Sequence, residues 1–217
     1  MRRRLLEIYR RLYRAFGPQH WWPGEGPFEV AVGAVLTQNT AWRNVERAIA
    51  NLKREGVLSL QGLLALPEGR LAELIRPAGY FNVKARRLRN LLDHLARHGG
   101  DLEGYLAGDL EQRRRELLAV NGLGPETVDS ILLYAGNRPT FVCDAYTRRL
   151  LTRHRLIHER PAYEEMRRLF MDHLPEDVAL YNEYHALIVR TGYHHCKPRP
   201  RCEGCPLEPL LAGESRK

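Results

Sequence analysis

The chain has 217 residues, 44% of them hydrophobic, which is enough apolar material for one sizeable core or two small lobes. Its longest apolar run, residues 30–36, is far shorter than the roughly 20 residues that cross a bilayer, and its basic start lacks the apolar segment of a secretory signal. The formal net charge is +8, and nearly all of the basic residues are arginine, since only four are lysine. We expect a soluble cytoplasmic protein, and either an anionic partner or an arginine-rich solvated surface explains the charge.

Apolar residues recur at helical spacing along nearly the whole chain, and no segment alternates with the period of a β-strand. The pattern predicts an amphipathic helix from Leu5 to Phe16 and a helix over 28–36 that is apolar on most sides and therefore central. A third helix is predicted to begin at a Thr40 cap and to stop at Gly56. These features predict an all-α fold.

The next predicted helices begin at Ser59, near Leu71 and at an Asn82 cap, and Gly99 follows the last of them. Beyond residue 100, apolar helical positions recur over 117–120, 128–135, 150–151, 163–170 and 178–188.

The segment Asn-Gly-Leu-Gly-Pro, residues 121–125, joins two of these helices. Gly122 and Gly124 can take positive φ and leave backbone N–H groups uncovered, and Pro125 suits the first turn of the second helix. Exposed amides beside a helix N-terminus would bind a phosphate without reading sequence. An ordinary tight turn between two helices is the alternative.

The stretch Thr-Phe-Val-Cys-Asp-Ala-Tyr, residues 140–146, follows this hairpin. Here the chain resembles the endonuclease III family of helix-hairpin-helix DNA glycosylases. Residues 33–40, residues 79–85 and the cysteine-rich tail fall where that family has counterparts, so the resemblance covers almost the whole chain. It is closest to the branch typified by bacterial 3-methyladenine DNA glycosylase III, which is similar in the Trp-Trp-Pro, Leu-Thr-Gln-Asn-Thr and Gly-Tyr-Phe-Asn segments.

The resemblance implies a two-lobed fold with duplex DNA in the cleft between the lobes. A six-helix lobe would span 27–138 and carry the hairpin at 121–125. Residues 1–26 and 139–217 would form the second lobe, with a metal loop at 196–205. We expect a monomer that is associated with the nucleoid and has no membrane partner.

The family's catalytic aspartate corresponds to Asp144, which would lie at the mouth of the cleft. A carboxylate there can stabilise the positive charge that builds on the sugar as an N-glycosidic bond breaks. The simpler alternative is a helix cap, a common role of aspartate. Lyase-competent members carry a lysine nucleophile where this chain has Glu126. The resemblance therefore implies a monofunctional enzyme, with Glu126 in the base pocket or merely exposed at a helix N-terminus.

The resemblance also implies aromatic and polar contacts to DNA. Trp21, Trp22 and Trp42 would form the pocket for a flipped base, because an indole face attracts a cationic alkylated purine; core packing is the alternative. Gln38 and Asn39 fall where the family inserts a polar residue into the gap left by that base. They could instead satisfy loose backbone groups at a helix end.

The tail holds Cys196, Cys202 and Cys205 at metal-ligand spacing. The family's four-cysteine loop binds a 4Fe–4S cluster, but its fourth cysteine corresponds to Leu211 here. The possibilities are a cluster with a non-cysteine fourth ligand (His194 or His195), a three-iron cluster, a Cys3His zinc site, or reduced thiols without metal.

The sequence thus predicts a base-excision-repair DNA glycosylase that hydrolyses the N-glycosidic bond of an alkylated purine resembling 3-methyladenine. One alternative is a bifunctional glycosylase and lyase that acts on oxidised pyrimidines, as endonuclease III does. Another is a DNA-binding module without catalysis.

Overall fold

The computed structural model describes residues 1–212, whose regular structure is entirely helical, and the all-α prediction is confirmed. The α-helices are α1 Arg2–Phe16, α2 Pro27–Leu36, α3 Trp42–Arg54, α4 Leu60–Ala65, α5 Glu68–Leu74, α6 Phe81–Arg97, α7 Leu102–Leu106, α8 Leu110–Leu118, α9 Pro125–Ser130, α10 Ala145–Arg153, α11 Tyr163–Met171, α12 Val178–His194 and α13 Glu208–Ala212. A 3-10 turn, Arg76–Ala78, precedes α6, and a π-helical stretch, Ile131–Ala135, follows α9. Within the described part of the chain, no helix is long and apolar enough to span a membrane.

Contacts within the chain divide it into two compact units. The central unit is Trp22–Arg138. The terminal unit joins Met1–Trp21 to the chain from Pro139 onward.

Helix α2 is the centre of the central unit. All residues from Val30 to Leu36 are buried, and the helix contacts α3, α6, α9 and the π-helical stretch. The apolar surface on most sides of this helix had predicted its central place, because only a helix surrounded by others buries every face.

Two predicted helix caps are wrong by one or two residues. Helix α3 starts at Trp42 with Ala41 as its N-cap, and the Thr40 hydroxyl instead accepts a 3.3 Å hydrogen bond from the Asn44 side chain. Helix α6 starts at Phe81, before Asn82, and its N-cap Tyr80 adopts a left-handed φ of 46°. Helices α7 and α13 were not predicted from the sequence, because a helix of five residues has too few turns to show a periodic pattern.

The predicted helix start at Ser59 is confirmed: Ser59 is the N-cap of α4, and its hydroxyl accepts a 3.0 Å hydrogen bond from the Gly62 N–H. The predicted start of α9 at Pro125 is confirmed as well.

The hairpin between α8 and α9 departs from expectation at one of its glycines. Gly122 has a φ of 93°, which favours glycine, whereas Gly124 has a φ of −83° that other residues adopt freely. The two helices are joined by a buried, two-pronged ion pair: Arg114 Nε and Nη2 lie 2.9 and 3.0 Å from the two carboxylate oxygens of Asp129.

Aromatic rings form much of the terminal unit's core. The Phe141 and Phe170 rings stack with centroids 3.8 Å apart, and the Tyr184 hydroxyl donates a 2.8 Å hydrogen bond to the Leu5 carbonyl. That bond joins α12 to α1, so the two ends of the chain are held in one unit.

The first prediction concerns the ion pair under the hairpin. Asp129→Ala should lower the free energy of unfolding by about 3–5 kcal/mol, because it leaves the buried Arg114 charge uncompensated. Glu73→Ala removes one of the two exposed carboxylate partners of Arg70, the other being Glu55, and should cost about 0–1 kcal/mol. Urea denaturation of the two variants measures both changes. Equal, small losses would contradict the role of Asp129.

Candidate active site

Asp144 is the N-cap of α10. Its Oδ1 atom accepts hydrogen bonds from the Thr147 backbone N–H at 2.7 Å and from the Thr147 hydroxyl at 3.0 Å. The capping role that the sequence left as an alternative is therefore real. It occupies only one of the two carboxylate oxygens.

The second oxygen of Asp144 faces α12. His185 Nε2 lies 3.7 Å from Oδ2, which is too long for a hydrogen bond but close enough for a charge interaction when the imidazole is protonated. The His185 side chain is 6% exposed and that of Asp144 is 13% exposed. This carboxylate thus retains a small opening to solvent.

Burial by itself would raise the pKa of Asp144, but His185 and the two Thr147 hydrogen bonds outweigh it and hold the pKa below its ordinary value. Because the pKa is lower in the folded state, the resulting stabilisation is present above the unfolded pKa of about 3.9 and is lost as pH falls through the folded value. Asp144 is therefore an anion at neutral pH.

A close approach of two helices positions this aspartate. A Cβ atom at Gly192 of α12 would lie 2.1 Å from Cδ1 of Tyr146, which is in the first turn of α10. Only glycine fits there, so α12 can run alongside α10 and bring His185 to the capping carboxylate. The sequence analysis placed His185 in an apolar helical pattern and missed this contact, because only the packing of α10 on α12 reveals it.

Three aromatic rings cluster in the central unit. The ring centroid of Trp22 lies 5.1 Å from those of both Trp42 and Tyr134, edge-on to Trp42 and tilted against Tyr134. Trp42 Nε1 donates a 2.9 Å hydrogen bond to Glu46, and both tryptophans are only partly buried. The cluster brings two of the predicted pocket tryptophans together with Tyr134, and Trp21 is the last residue of the first segment of the terminal unit.

The two polar residues after α2 differ in their surroundings. The Gln38 amide donates to the Gly122 carbonyl at 3.2 Å and to the Thr127 hydroxyl at 2.9 Å, and Arg87 donates to its oxygen. Asn39 is exposed and has a left-handed φ of 53°. Gln38 therefore supports the hairpin, whereas Asn39 projects towards solvent.

Lys84 is almost fully buried, and its ammonium donates to the carbonyls of Leu36, at 2.8 Å, and Ala78, at 2.7 Å. Burial lowers the pKa of Lys84 to about 8, with a further contribution from Arg87. The ammonium joins the end of α2 to the turn before α6. That turn carries Tyr80, whose side chain is 75% exposed and which the sequence analysis did not select.

Glu126 lies in the first turn of α9 and is exposed. A carboxylate at this place is stabilised by the positive end of the helix dipole. Gly124, the N-cap of the same helix, is also exposed, and a Cβ atom there would meet no atom within 4 Å.

The three tail cysteines line one cavity of the terminal unit, together with His195 and Leu211. Burial, with smaller contributions from Cys196 and Cys202, raises the pKa of the Cys205 thiol. His154 lines the same cavity and was missed, because it is remote from the tail in sequence. His194 is exposed, and Cys143 is buried elsewhere in the unit.

Two arginines of α10 hold the cysteine loop. Arg149 Nε donates to the Cys196 carbonyl, and Arg153 donates to the Cys196 sulfur at 3.1 Å and to the carbonyls of Lys197 and Pro198. The cavity therefore offers three thiols and two imidazoles as ligands, and a guanidinium contacts one of the sulfurs. These ligands fit a thiolate-bound metal group.

Comparison with known proteins identifies the family. Residues 32–176 match the model of the HhH-GPD superfamily of base excision DNA repair proteins. The chain belongs to this superfamily. It is a DNA glycosylase, and the sequence-based prediction of an enzyme that hydrolyses N-glycosyl bonds is confirmed.

Relatives and solved structures agree with this assignment. The chain is 46% identical over 206 residues to a Methanocaldococcus jannaschii protein named as a DNA repair glycosylase, covering 94% of each chain. It is 29% identical to endonuclease III of Thermotoga maritima, over 93% of this chain and 89% of that one.

Among solved structures, the fold matches Helicobacter pylori 3-methyladenine DNA glycosylase bound to 1,N6-ethenoadenine with a TM-score of 0.78 and 28% identity, over 87% of this chain and 97% of that one. A non-covalent endonuclease III–DNA complex matches in fold with a TM-score of 0.82 at 22% identity, over 100% and 99% of the two chains. The predicted resemblance to the endonuclease III-like superfamily is therefore confirmed.

The second prediction concerns the charge environment of Asp144. His185→Ala should raise the pKa of Asp144, because it removes a lowering interaction and leaves the burial. Carboxyl-carbon NMR titration measures the shift directly. His158→Ala is the matched control, since His158 lies 3.2 Å from Glu165 and helps to lower the pKa of that residue instead. An unchanged Asp144 titration in His185→Ala would contradict the interaction.

Proposed function

We propose that this glycosylase removes alkylated purines from duplex DNA by hydrolysis alone, with Asp144 as its catalytic group. The observation that carries the proposal is the divided use of the Asp144 carboxylate: Oδ1 caps α10, and Oδ2 keeps its negative charge near the surface. A fixed anion of this kind is what an oxocarbenium-like transition state needs.

The positive charge on the deoxyribose develops as the glycosidic bond lengthens. A preorganised carboxylate stabilises that charge more in the transition state than in the ground state, which accelerates the step. The same group can orient the attacking water, whose oxygen forms the new bond to the sugar carbon. The departing electron pair remains on the purine, and a cationic alkylated base accepts it readily.

The residue at the lyase position supports the hydrolytic route. Glu126 occupies the position of the lyase nucleophile and cannot form a Schiff base. Lys84, in the family-like segment 79–85, is buried and donates to two backbone carbonyls. A bifunctional endonuclease III-type enzyme remains the second candidate, favoured by the 29% identity to the Thermotoga maritima protein.

The aromatic cluster supports an electron-poor base as substrate. Trp22 and Trp42 are partly buried, and they would attract a cationic purine by stacking and cation–π interaction. The 28%-identical Helicobacter pylori structure holds an alkylated adenine, 1,N6-ethenoadenine. We assign Glu126 to base recognition and extend the predicted aromatic pocket to Tyr134. Trp21 keeps its proposed place in that pocket on the resemblance alone.

Contacts to DNA are proposed for three further regions of the central unit. The hairpin would bind phosphate through the amides at Gly122 and Gly124, as in other helix-terminal anion sites. Asn39 rather than Gln38 would enter the gap left by the flipped base, because Gln38 is already hydrogen-bonded to the hairpin. Tyr80, exposed on its turn, would stack on a neighbouring base.

The tail is proposed to hold an iron–sulfur cluster. Cys196, Cys202 and Cys205 would supply three thiolates, and His195 would supply the fourth ligand. His195 Nδ1 lies 3.3 Å from the Arg201 carbonyl, which favours a proton on Nδ1 and leaves Nε2 for the metal. When bound, the group would cross-link the loop and hold its basic residues in place for DNA.

The third prediction tests the mechanism. Asp144→Asn should lower the rate of base release by at least about 10²–10³-fold while duplex binding stays near normal. Asp177→Asn is the matched control: Asp177 caps α12 through the Leu180 N–H at 3.1 Å, so it changes a cap without touching the chemistry. Single-turnover assays on a duplex with one 3-methyladenine measure the rate of base release by each variant, and the dependence of that rate on enzyme concentration measures duplex binding.

The product of the wild-type reaction separates the two candidate functions. Hydrolysis should leave an intact strand that breaks only in alkali, and borohydride should trap no protein–DNA adduct. Efficient trapping on an abasic duplex would overturn the monofunctional assignment and favour the bifunctional one.

The fourth prediction concerns the tail. Protein purified anaerobically should be brown, and Cys202→Ala should lose both colour and iron, whereas Cys143→Ala should keep them because Cys143 lies outside the cavity. Leu211→Cys places a thiol on the cavity wall and should make the colour more resistant to air. Elemental analysis decides the metal: stoichiometric zinc without iron would exclude the cluster.

A further inference from the structure

A second group of metal-ligating side chains lies in the central unit. His94 of α6, His98 at the C-cap of α6 and Glu116 of α8 offer ligand atoms that all lie within 4.8 Å of one another. Across residues 1–212, this is the one group of three such side chains that meets this spacing. It does not involve Asp144 or the tail cysteines.

The spacing follows from helix geometry. His94 and His98 are four residues apart, so their rings lie on the same face of α6, with centroids 4.3 Å apart. Glu116 reaches them from the neighbouring helix. His94 is buried, His98 is exposed and Glu116 is half-buried, and together they line an open cavity of about 470 Å³.

Hydrogen bonds determine which nitrogen of His94 is bare. The Tyr105 hydroxyl donates its single proton to Glu116 Oε2 at 3.0 Å. Its oxygen also lies 2.8 Å from His94 Nε2, and it can only accept there, so the His94 proton is on Nε2. The lone pair of His94 Nδ1 is therefore available to a ligand.

A hydrogen bond also determines the tautomer of His98. Its Nδ1 lies 2.8 Å from the His94 backbone carbonyl, which can only accept, so the proton is on Nδ1. His98 Nε2 then carries the bare lone pair. Fixing a ligand's tautomer through the other ring nitrogen is how proteins prepare histidine for a metal.

We propose that His94 Nδ1, His98 Nε2 and a Glu116 oxygen bind a zinc-class divalent ion. Two neutral imidazoles and a carboxylate suit Zn²⁺, and a water would complete a tetrahedral site. Ligand bonds of about 2.0–2.2 Å place the ligand atoms roughly 3.3 Å apart, so the side chains must approach one another more closely to hold an ion. The exposed ring of His98 can make that movement.

Nearby cations limit the affinity without blocking the site. Arg113 Nη1 lies 2.7 Å from Glu116 Oε2, and Arg97 lines the same cavity. A carboxylate has about four lone-pair positions, and Arg113, Tyr105 and the Gln112 amide occupy three of them. One position remains for the ion.

Bound metal would cross-link α6 to α8, the helix that leads into the hairpin at 121–125. Binding would stabilise the folded chain by RT ln(1 + L/Kd), where L is the free metal concentration.

Zinc titration of the full chain tests the proposal. Histidine ring ¹H–¹⁵N NMR should show that zinc shifts the Nδ1 resonance of His94 and the Nε2 resonance of His98. The two rings would thus bind the ion through different nitrogens. Magnesium should have no effect, because it prefers oxygen ligands. Zinc held by the tail thiols leaves these two rings unperturbed and is recognised in a cobalt titration by its thiolate charge-transfer band.

Three variants complete the test. His98→Ala should lose one equivalent of bound zinc, and Tyr105→Phe, which frees the His94 tautomer, should weaken binding by roughly 10–100-fold. His173→Ala is the matched control: its Nδ1 also lies near the carbonyl four residues back, at 3.0 Å, and it should lose nothing. Unchanged zinc binding in His98→Ala, or perturbation of other histidines only, would overturn the site.

Discussion

The candidate chemistry depends on how the two oxygens of Asp144 are used: Oδ1 accepts the capping hydrogen bonds, and Oδ2 faces His185. A helix cap needs one acceptor oxygen, and stabilising a cationic transition state needs a negative charge that is held still. Asp144 meets both needs, because its bonds to Thr147 orient the group that His185 and Thr147 keep ionised. In the proposed mechanism, one arrangement of hydrogen bonds therefore serves both the helix cap and the chemistry. The cap supplies the preorganisation that an unsupported carboxylate would lack.

The helix that begins at Asp144 also organises the cysteine loop. Arg149 and Arg153, in the last two turns of α10, donate to the backbone of that loop and to the Cys196 sulfur. Cations are favoured at a helix C-terminus and the anion at its N-terminus, so the helix dipole supports both ends.

In the central unit, buried polar groups hold the loops that are proposed to meet DNA. The Lys84 ammonium joins the end of α2 to the turn that carries Tyr80, and the Gln38 amide joins the same end of α2 to the hairpin. Each buried donor would cost free energy if its acceptors moved away, so these segments are fixed in register before any ligand arrives. The irregular backbone at Asn39 and Tyr80 is thus a supported conformation.

The sequence alone determined the helical class, the central position of α2, the helix start at Ser59 and the segments that mark the family, because periodicity and short motifs are local properties. It also singled out Asp144, but it could not decide between cap and catalyst. Only the tertiary structure shows that Oδ1 forms the cap and that α12 brings His185 to the second oxygen. The different surroundings of Gln38 and Asn39, the burial of Lys84, the grouping of His94 with Glu116 and the place of His154 beside the tail are likewise tertiary. Each depends on contacts between residues far apart in the chain, which no local pattern encodes.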